Sequence, residues 1–344
     1  MSLNVGMLGT GGIASYHLAG FAECADRARI AAVADVNEDA ARAFAKAAGA
    51  ERIYTRWQDV IEDDAIDAVD ISLPHDLHAE VAVAAAEAGK HILVEKPIAT
   101  TLEDADRMLA AAERAGVTLA VLHDRRFSPS YELAKQLLDD GVIGRPLLYR
   151  LDHNQAPQFP EGSWARSRER LGGGAVMSCL THIIDLARHY AGDVADVGCW
   201  SVTLPEKMEG EIIGVVPMRF ASGAVGDLSI NWNVKGRKSE HGTWYEMVWI
   251  SGTEGTLHTF NDGERHSFGG VRYMRYGEEG DPFQFVPAES RLTGHQRAIL
   301  DFVDSVLNRT QPLVTGAEGR AAIEVALAAY EAERDGRVVT LPLR

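Results

Sequence analysis

The first 123 residues alternate short apolar runs with longer Ala-rich runs, and this alternation limits the fold more than any other feature. The apolar runs have the length of buried strands, and they cover Leu3–Leu8, Ile30–Ala34, Ala68–Leu73, His91–Val94 and Thr118–Leu122. Apolar residues recur at helical spacing in the runs between them, over Glu38–Ala48, Leu77–Ala88 and Leu102–Ala115. Strands that are apolar throughout and alternate with helices form a parallel sheet covered on both faces. Residues 1–123 are therefore predicted to form a doubly wound α/β domain.

After residue 123 the pattern changes to one typical of an α+β domain. The predicted helices are Ser128–Asp140, Ala175–Tyr190, His295–Leu307 and Ala317–Arg334. Between Val194 and about Phe285 the chain reads as successive strands and turns. Apolar and polar residues alternate over Leu228–Trp232, as in an antiparallel strand with one solvated face. We predict a second domain, residues 124–344, with a large, mostly antiparallel open sheet.

Charge and cysteine content exclude several classes of function. The 344 residues include 34 Lys and Arg against 50 Asp and Glu, a formal net charge of −16 that repels nucleic acids and anionic lipids. Three scattered cysteines, Cys24, Cys179 and Cys199, provide neither a disulfide framework nor a zinc site. No apolar run approaches the ~18 residues of a membrane span, and the strand at Leu3 leaves no room for a signal peptide. We expect a cytoplasmic protein with a small-molecule partner, without nucleic acid or membrane.

A glycine-rich turn joins the first predicted strand to the first helix. It reads Gly9, Thr10, Gly11, Gly12, Ile13 and Ala14. In the dinucleotide-binding fingerprint such glycines allow a tight turn and close approach of the backbone to a pyrophosphate. Asp35 ends the second strand, where a carboxylate bonds the ribose 2′-hydroxyl, and no Lys or Arg follows within Val36–Glu38. The turn therefore indicates NAD rather than NADP, and the alternative is a tight turn that binds no ligand.

Several further segments occur in the order that is typical of one family. They are Leu73–His78, Glu95-Lys96-Pro97, Arg126–Pro129, Gly141–Pro146, Gly172-Gly173-Gly174, His182 and Ser251–Leu257. Over essentially the whole chain this order resembles the Gfo/Idh/MocA family of NAD(P)-dependent oxidoreductases, named after glucose–fructose oxidoreductase, inositol 2-dehydrogenase and rhizopine catabolism. The resemblance implies hydride transfer between nicotinamide C4 and a sugar, polyol or related hydroxyl or keto compound. It also implies cofactor contacts from Ser72, Leu73, Pro74, His78, Glu95 and Lys96.

The same resemblance implies two catalytic residues, Lys96 and His182. A partly desolvated Lys ammonium polarises a carbonyl or shares a proton with the hydroxyl being oxidised. The imidazole of His182 titrates near neutral pH and is suited to acid/base work. The resemblance further implies a cis peptide bond before Pro97. The alternatives are a solvated lysine after a strand and a histidine that only packs in a core.

One departure from the family pattern concerns the helix of His182. Ser178 stands where the family usually has an Asp, four residues before the histidine, and a Ser cannot stabilise an imidazolium as a carboxylate does. On an α-helix Ser178, His182 and Asp185 form one stripe, so Asp185 could substitute for the missing acid. A hydrolase triad is disfavoured because residues on successive turns of one helix do not converge.

The predicted substrate contacts are Lys96, Arg126, Asn154, Trp164, Arg166, Ser178, His182 and Asp185. For Arg126, Asn154, Trp164 and Arg166 a surface or packing role is equally open. Arg166 and Arg168 hint at an anionic group on the substrate. No metal site is predicted, although His75 and His78 lie close together in sequence.

Two other functions remain open. One is a non-redox lyase or hydrolase that uses the same pocket, and the other is a non-catalytic dinucleotide sensor. We also expect a homodimer or homotetramer, because one face of the antiparallel sheet needs a cover. Trp232, Val248 and Ile250 are the apolar residues assigned to that face.

Overall fold

The structure is a computed structural model that describes residues 2–234, 244–261, 269–277 and 283–343. The chain divides into two compact units. The first comprises Met1–Asp124 and Leu292–Arg320, and the second comprises Arg125–Arg291 and Ala321–Arg344. The division after Asp124 lies one residue from the predicted boundary. Leu292–Arg320 belongs to the first unit, which differs from the assignment of all residues beyond 123 to a second domain.

The first unit is built on six parallel strands. They are β1 (Leu3–Leu8), β2 (Ala28–Ala34), β3 (Arg52–Tyr54), β4 (Ala68–Ile71), β5 (His91–Glu95) and β6 (Leu119–Leu122). Their order in the sheet is β3-β2-β1-β4-β5-β6, so the chain reverses its direction of winding between β1 and β4. This is the predicted doubly wound sheet, and ligands bind such sheets at the carboxyl ends beside that reversal. The analysis of the sequence missed β3, which has three residues.

Five helices connect these strands. They are α1 (Ala14–Ala22), α2 (Glu38–Ala48), α3 (Trp57–Ile61), α4 (His78–Glu87) and α5 (Leu102–Ala115). Thr101 caps α5 by accepting a bond from the Asp104 amide at 3.1 Å, and Gly116 ends the helix in the left-handed region at φ 66°. In the part of the chain that the structure describes, no helix has the length and apolarity needed to cross a membrane.

The remaining strands belong to the second unit. They are β7 (Pro146–Gln155), β8 (Val194–Val197), β9 (Trp200–Thr203), β10 (Glu211–Phe220), β11 (Val225–Asn231), β12 (Trp244–Gly252), β13 (Gly255–Asn261), β14 (Gly270–Arg275), β15 (Gln284–Pro287) and β16 (Val339–Thr340). Nine of them follow the order β15-β14-β13-β12-β7-β11-β10-β8-β16, and β9 pairs with β10. All neighbours are antiparallel except β7 and β11. The prediction of a large, mostly antiparallel sheet is confirmed.

The remaining helices are α6 (Pro129–Asp139), α7 (Arg168–Leu171), α8 (Thr181–Ala191), α9 (Gly294–Asn308) and α10 (Gly316–Asp335). Helices α6 and α8 contact the sheet of the second unit, whereas α9 packs on α1 in the first unit. Gly20 of α1 permits this packing, because a Cβ there would collide with Ile299 of α9. This close approach explains why a segment so late in the chain belongs to the first unit.

The assignment of Trp232, Val248 and Ile250 to an uncovered face is wrong. Val248 and Ile250 are fully buried, and Trp232 is 4% exposed. Side chains alternate between the faces of a strand, so the neighbours of Val248 and Ile250 occupy the other face. On β12 these neighbours include Met247, which is 40% exposed.

Candidate active site

The glycine-rich turn lies at the carboxyl end of β1. Gly9 has φ 91°, and a Cβ there would collide with the Ser72 carbonyl oxygen, so this position requires glycine. A Cβ built on Gly11 or Gly12 would meet no atom within 4 Å, and both residues are exposed. Ala14 is fully buried at the start of α1. The turn thus leaves open space beside backbone amides at a helix N-terminus, which fits the phosphates of a dinucleotide.

Asp35 lies beside this turn, at the end of β2. Its Oδ2 accepts hydrogen bonds from the Thr10 amide at 2.8 Å and the Thr10 hydroxyl at 2.7 Å. Its Oδ1 accepts one bond, from the Asn37 amide at 2.8 Å, and the side chain is half-buried. A carboxylate oxygen has room for a second donor, so Oδ1 retains the capacity to bind a ribose hydroxyl. Asp35 therefore both fixes the turn and fits the adenosine end of NAD.

The loops after β4 and β5 are joined by His78. Its two ring nitrogens lie 2.9 Å from the Leu73 and Pro97 carbonyl oxygens. The imidazole is completely buried, and burial lowers its pKa. His78 therefore positions Leu73, a predicted cofactor contact, and Pro97. Contact of the cofactor with Ser72, Leu73, Pro74 or His78 stays a prediction.

Glu95 and Lys96 stand at the carboxyl end of β5, where a buried network holds them. Glu95 Oε2 accepts a bond from the Lys96 amide at 3.0 Å, and its Oε1 lies 3.0 Å from His17 Nε2. His17, on α1, lies with Nδ1 2.7 Å from Asp70 Oδ2. The Lys96–Pro97 bond is cis, as the family resemblance implied. Lys96 thus follows Glu95, whose carboxylate is held by His17 of α1 and by the Lys96 amide.

Close packing around three glycines shapes the backbone before His182. Side chains at Gly173 and Gly174 would collide with Tyr330 and Glu211, so these glycines accommodate protein neighbours. Glu211 Oε1 accepts the Val176 amide at 2.9 Å and the Tyr330 hydroxyl at 2.8 Å. That hydroxyl accepts the Gly174 and Met177 amides at 3.0 and 3.1 Å. The buried Glu211 and the half-buried Tyr330 therefore satisfy the first amides of this helix.

The predicted helix Ala175–Tyr190 contains a π-helical segment, Val176–Leu180, followed by α8. In a π-helix the hydrogen bonds run five residues back, so a spacing of four residues loses its α-helical angle. Ser178 therefore lies in the π-helical segment, whereas His182 and Asp185 share α8, and the single stripe of these three residues stays a prediction. Ser178 and His182 are both buried, 7% and 6% exposed. Segments of π-helix occur frequently at functional sites.

Asp185 is engaged by Arg126. Its Oδ2 accepts from Arg126 Nε at 2.8 Å and its Oδ1 from Arg126 Nη2 at 2.7 Å. Both side chains are buried, so this is a two-pronged ion pair in a region of low dielectric. The structure brings these two predicted substrate contacts together. The suggestion that Asp185 replaces the missing acid is disfavoured, because both its oxygens already serve Arg126.

The other predicted substrate contacts lie in different parts of the second unit. Trp164 and Arg166 share a short 3₁₀ helix. Asn154 is on β7, and the alternation of β7 places it on the face opposite to Tyr149, Leu151 and His153, which are buried. Val176 of the π-helical segment packs on β10 at Gly214, on the inner face, and contact of Asn154 with a substrate stays a prediction.

The analysis of the sequence missed a buried cluster around Glu246 of β12. Glu246 Oε1 lies 2.6 Å from His153 Nδ1, and both its oxygens accept Arg125 Nε at 2.8 and 2.9 Å. The Tyr131 hydroxyl donates to Oε2 at 2.7 Å. Burial alone raises the pKa of Glu246, but Arg125 and His153 outweigh burial and lower it to about 2. The sequence contained one signal of this cluster, because Glu246 is an acidic residue within a segment that is otherwise typical of a strand.

Metal ligation finds no support in the described residues, which contain no group of three or more His, Cys, Asp or Glu arranged to hold an ion. His75 and His78 have ring centroids 5.6 Å apart, and both nitrogens of His78 face carbonyl oxygens.

Comparisons with known proteins agree with this geometry. Residues 3–123 match the oxidoreductase family described as having an NAD-binding Rossmann fold, and residues 131–258 match the GFO/IDH/MocA C-terminal domain. Levoglucosan dehydrogenase of Pseudarthrobacter phenanthrenivorans is 32% identical over 292 residues, which cover 74% of this chain and 73% of that protein. Myo-inositol 2-dehydrogenase of Thermotoga maritima is 27% identical over 344 residues, 98% of each.

A solved structure of levoglucosan dehydrogenase in complex with NADH and levoglucosan has a TM-score of 0.89 to this chain, at 28% identity, and the match covers 100% of both. These relatives are dehydrogenases, which is the predicted class of enzyme. The turn at Gly9, the segment Glu95-Lys96-Pro97 and the matched second unit all fit one conclusion, namely that this chain belongs to the Gfo/Idh/MocA family of oxidoreductases.

Proposed function

We propose that this chain is an NAD-dependent dehydrogenase that transfers hydride between the nicotinamide and a hydroxyl or keto group of a sugar, polyol or related compound. The observation that carries the proposal lies within the first unit. The turn at Gly9, Asp35 and Lys96 follow β1, β2 and β5, at the sheet edge where dinucleotides bind. Relatives named for levoglucosan and myo-inositol support the substrate class.

Two residues carry the proton chemistry in this proposal. Bound NAD supplies the hydride acceptor or donor. The Lys96 ammonium polarises the substrate oxygen or shares its proton, and the hydrogen bond that the Lys96 amide donates to Glu95 Oε2 keeps the backbone in place. His182 donates or removes the hydroxyl proton, a role to which the imidazole group is suited.

The preference for NAD over NADP rests on Asp35. Its Oδ1 has capacity for a ribose hydroxyl, whereas a 2′-phosphate would face the same carboxylate. Arg56 lies two residues after Tyr54, whose carbonyl oxygen accepts the Asp35 amide at 3.3 Å. Arg56 also lies 4.0 Å from Asp59 and is exposed. We therefore expect NAD to bind more tightly, with Arg56 the nearest candidate for tolerance of NADP.

We also propose that the chain forms a homodimer or homotetramer through the outer face of the sheet of the second unit. Met247 of β12 and Val225 of β11 are 40% and 46% exposed on this face. Light scattering should give a mass of two or four times 37.4 kDa. Met247→Glu should lower that mass, whereas Leu307→Glu, at an equally exposed position on α9, should not. A monomeric wild-type chain would refute this assembly.

The test of the proposed function compares Lys96→Ala and His182→Ala with the wild type on a panel of sugars and polyols with NAD. Lys96→Ala should abolish turnover while NAD still binds by calorimetry, because the turn and Asp35 hold the far end of the cofactor. His182→Ala should lower kcat by about 10²- to 10⁴-fold and remove a titration from the pH–rate profile. Lys46→Ala, which changes an exposed lysine on α2, is the control for loss of a lysine charge. Absence of NADH formation with every panel member would contradict the proposal.

A further inference from the structure

A cavity of about 360 Å³ lies wholly within the second unit, where two parallel neighbours, β7 and β11, end. Residues 156–159 follow β7 directly and line it on one side, and residues 232–234 follow β11 and line it on the other. A cavity of this volume accommodates a small ligand. Because the cavity lies at the carboxyl ends of two hydrogen-bonded strands, its base is formed by the backbone of the sheet.

Two cations line this cavity without an ion-pair partner. Among the described residues, no carboxylate lies within ion-pair distance of Arg166 or Lys207. Arg166 Nη2 donates to the Glu206 carbonyl oxygen at 3.1 Å, and Lys207 Nζ donates to Asn233 Oδ1 at 2.5 Å. These bonds hold both side chains in place but do not neutralise them. Glu206 is the one acidic residue in the lining, which therefore carries a net charge of +1 in a chain of net charge −16.

The remaining wall is aromatic and apolar. Phe159 and Trp232 pack edge to face with ring centroids 5.4 Å apart, and Met208 and Ile212 complete the surface. Trp232 is buried, and its Nε1 has no hydrogen-bond acceptor among the described residues. An unsatisfied buried N–H is costly. A lining of this kind suits a sugar ring, whose C–H face packs on aromatic groups while an acidic substituent meets the cations.

The cavity adjoins the π-helix of the candidate active site. Gln155, the residue before the cavity wall, has Oε1 3.8 Å from Cys179 Sγ and 3.4 Å from His153 Nε2. Cys179 follows Ser178 in the π-helix. One residue, Gln155, therefore connects the cavity wall at Ala156 to the segment that leads to His182.

We propose that this cavity binds an anionic substituent of the substrate, a carboxylate or a phosphate ester, through Arg166 and Lys207. The substrate class is then a sugar acid or sugar phosphate rather than a neutral polyol. This inference rests on the proposed function for its link to turnover, while the binding of the anion is measurable without it.

The test uses three matched ligands, a hexuronate, the corresponding hexose 6-phosphate and the neutral hexose. The variants are Arg166→Gln and Lys207→Gln in the full-length protein. For the preferred anion each variant should raise KM or Kd by about ten- to a hundredfold, with kcat nearly unchanged. Added salt should weaken binding of the anion more than binding of the neutral hexose.

Arg145→Gln is the matched control. Arg145 is exposed and directly precedes β7, and the other end of this ten-residue strand leads into the cavity. Arg145→Gln therefore removes one positive charge about 30 Å from the cavity. It should leave all three ligands unaffected. A thermal unfolding midpoint for each variant separates loss of binding from loss of folding.

The outcomes separate this inference from the proposed function. Turnover of the neutral hexose with no preference for either anion, or equal losses for all three ligands in Arg166→Gln, would overturn the anionic subsite and leave the dehydrogenase intact. If none of the three ligands and no member of the sugar and polyol panel is turned over, the proposed function fails, and calorimetry with the hexuronate and the hexose 6-phosphate decides the subsite. Tight binding of one anion that Arg166→Gln weakens would support it, and no binding of either would refute it. The tighter of the two anions identifies the substituent.

Discussion

The Nδ1 atom of His17 lies 2.7 Å from Oδ2 of Asp70, and both side chains are completely buried. His17 Nε2 faces Glu95 Oε1 at 3.0 Å, so one imidazole separates two carboxylates. Burial on its own lowers the pKa of His17, but Asp70 and Glu95 outweigh burial and raise the pKa to about 10. His17 is therefore an imidazolium at neutral pH, and it ties α1 to β4 and to the strand that precedes Lys96.

Replacement of His17 with Gln removes the cation between these two carboxylates. The free energy of unfolding should fall by about 3 to 5 kcal/mol at neutral pH, the cost of leaving buried charges unpaired. The folded pKa of about 10 exceeds the unfolded value of 6.5, so the stabilisation by protonation is fully present below pH 6.5. It is lost as the pH rises toward about 10. Urea unfolding of both proteins over this range should show the difference shrinking with pH.

His91→Gln is the control for the previous experiment. Burial lowers the pKa of His91, so this residue is neutral in the folded and unfolded states above pH 6.5. Its variant should show a difference from the wild type that does not change between pH 7 and about pH 10. A His17→Gln difference that is equally flat would mean that His17 is neutral in the folded protein.

The second unit has its own buried charge cluster, which should respond to acid. The pKa of Glu246 is about 2, below its ordinary 4.5, so its contribution to stability is present above pH 4.5 and is lost as the pH falls toward about 2. Glu246→Gln should cost about 3 to 5 kcal/mol at neutral pH and less near pH 2, measured by acid and urea unfolding. The exposed Glu254→Gln should be close to neutral. A loss that does not depend on pH would contradict the lowered pKa.

Asp35→Ser should weaken NAD binding and reduce the repulsion of NADP together. Loss of a charge-assisted hydrogen bond costs about 1.5 to 3 kcal/mol, so the Kd for NAD should rise about ten- to a hundredfold by calorimetry. Asp39→Ser, an exposed position on the first turn of α2, removes an equal charge and serves as control.

A second variant separates the two roles of Asp35. Thr10→Val removes the hydroxyl bond to Asp35 Oδ2 and leaves the carboxylate in place. If Asp35 acts only by fixing the turn, Thr10→Val should lower the affinity for NAD and NADP in parallel. Unchanged NAD affinity in Asp35→Ser would remove this residue from the cofactor site.

Local patterns predicted the parts of the site that consecutive residues form. The turn Gly9–Ala14, the strand that begins at His91 and the helix Leu102–Ala115 depend on neighbours in sequence, and the structure has them where they were expected. The network of His17 was missed because its partners lie 53 and 78 residues away. An acid within the apolar strand Ala68–Ile71 was the signal that could have revealed it, since a buried charge requires a partner.

Local patterns were less reliable for helix type and for the face of a strand. The helix before His182 was predicted to be α-helical from Ala175 onward, whereas Val176–Leu180 is π-helical. Its cause is not local, because Glu211 and Tyr330 bind the amides that open the segment. Similarly, Val248 and Ile250 were placed on the outer face of β12, and a shift by one residue exchanges the two faces of a strand.

The most informative substitution is Ser178→Asp, which restores the family's usual acid before His182. Ser178 is 7% exposed, so the new carboxylate enters a confined space. If the substrate is a neutral polyol, turnover should be retained or rise, because a carboxylate stabilises the imidazolium of His182. If the substrate is anionic, like charges repel, and kcat/KM for the anion should fall at least tenfold relative to the neutral hexose, which is the outcome we expect. Ser178→Asn, of equal size and no charge, distinguishes charge from bulk. Equal losses in both variants would show that position 178 excludes volume and would leave the charge of the substrate to be decided by Arg166→Gln.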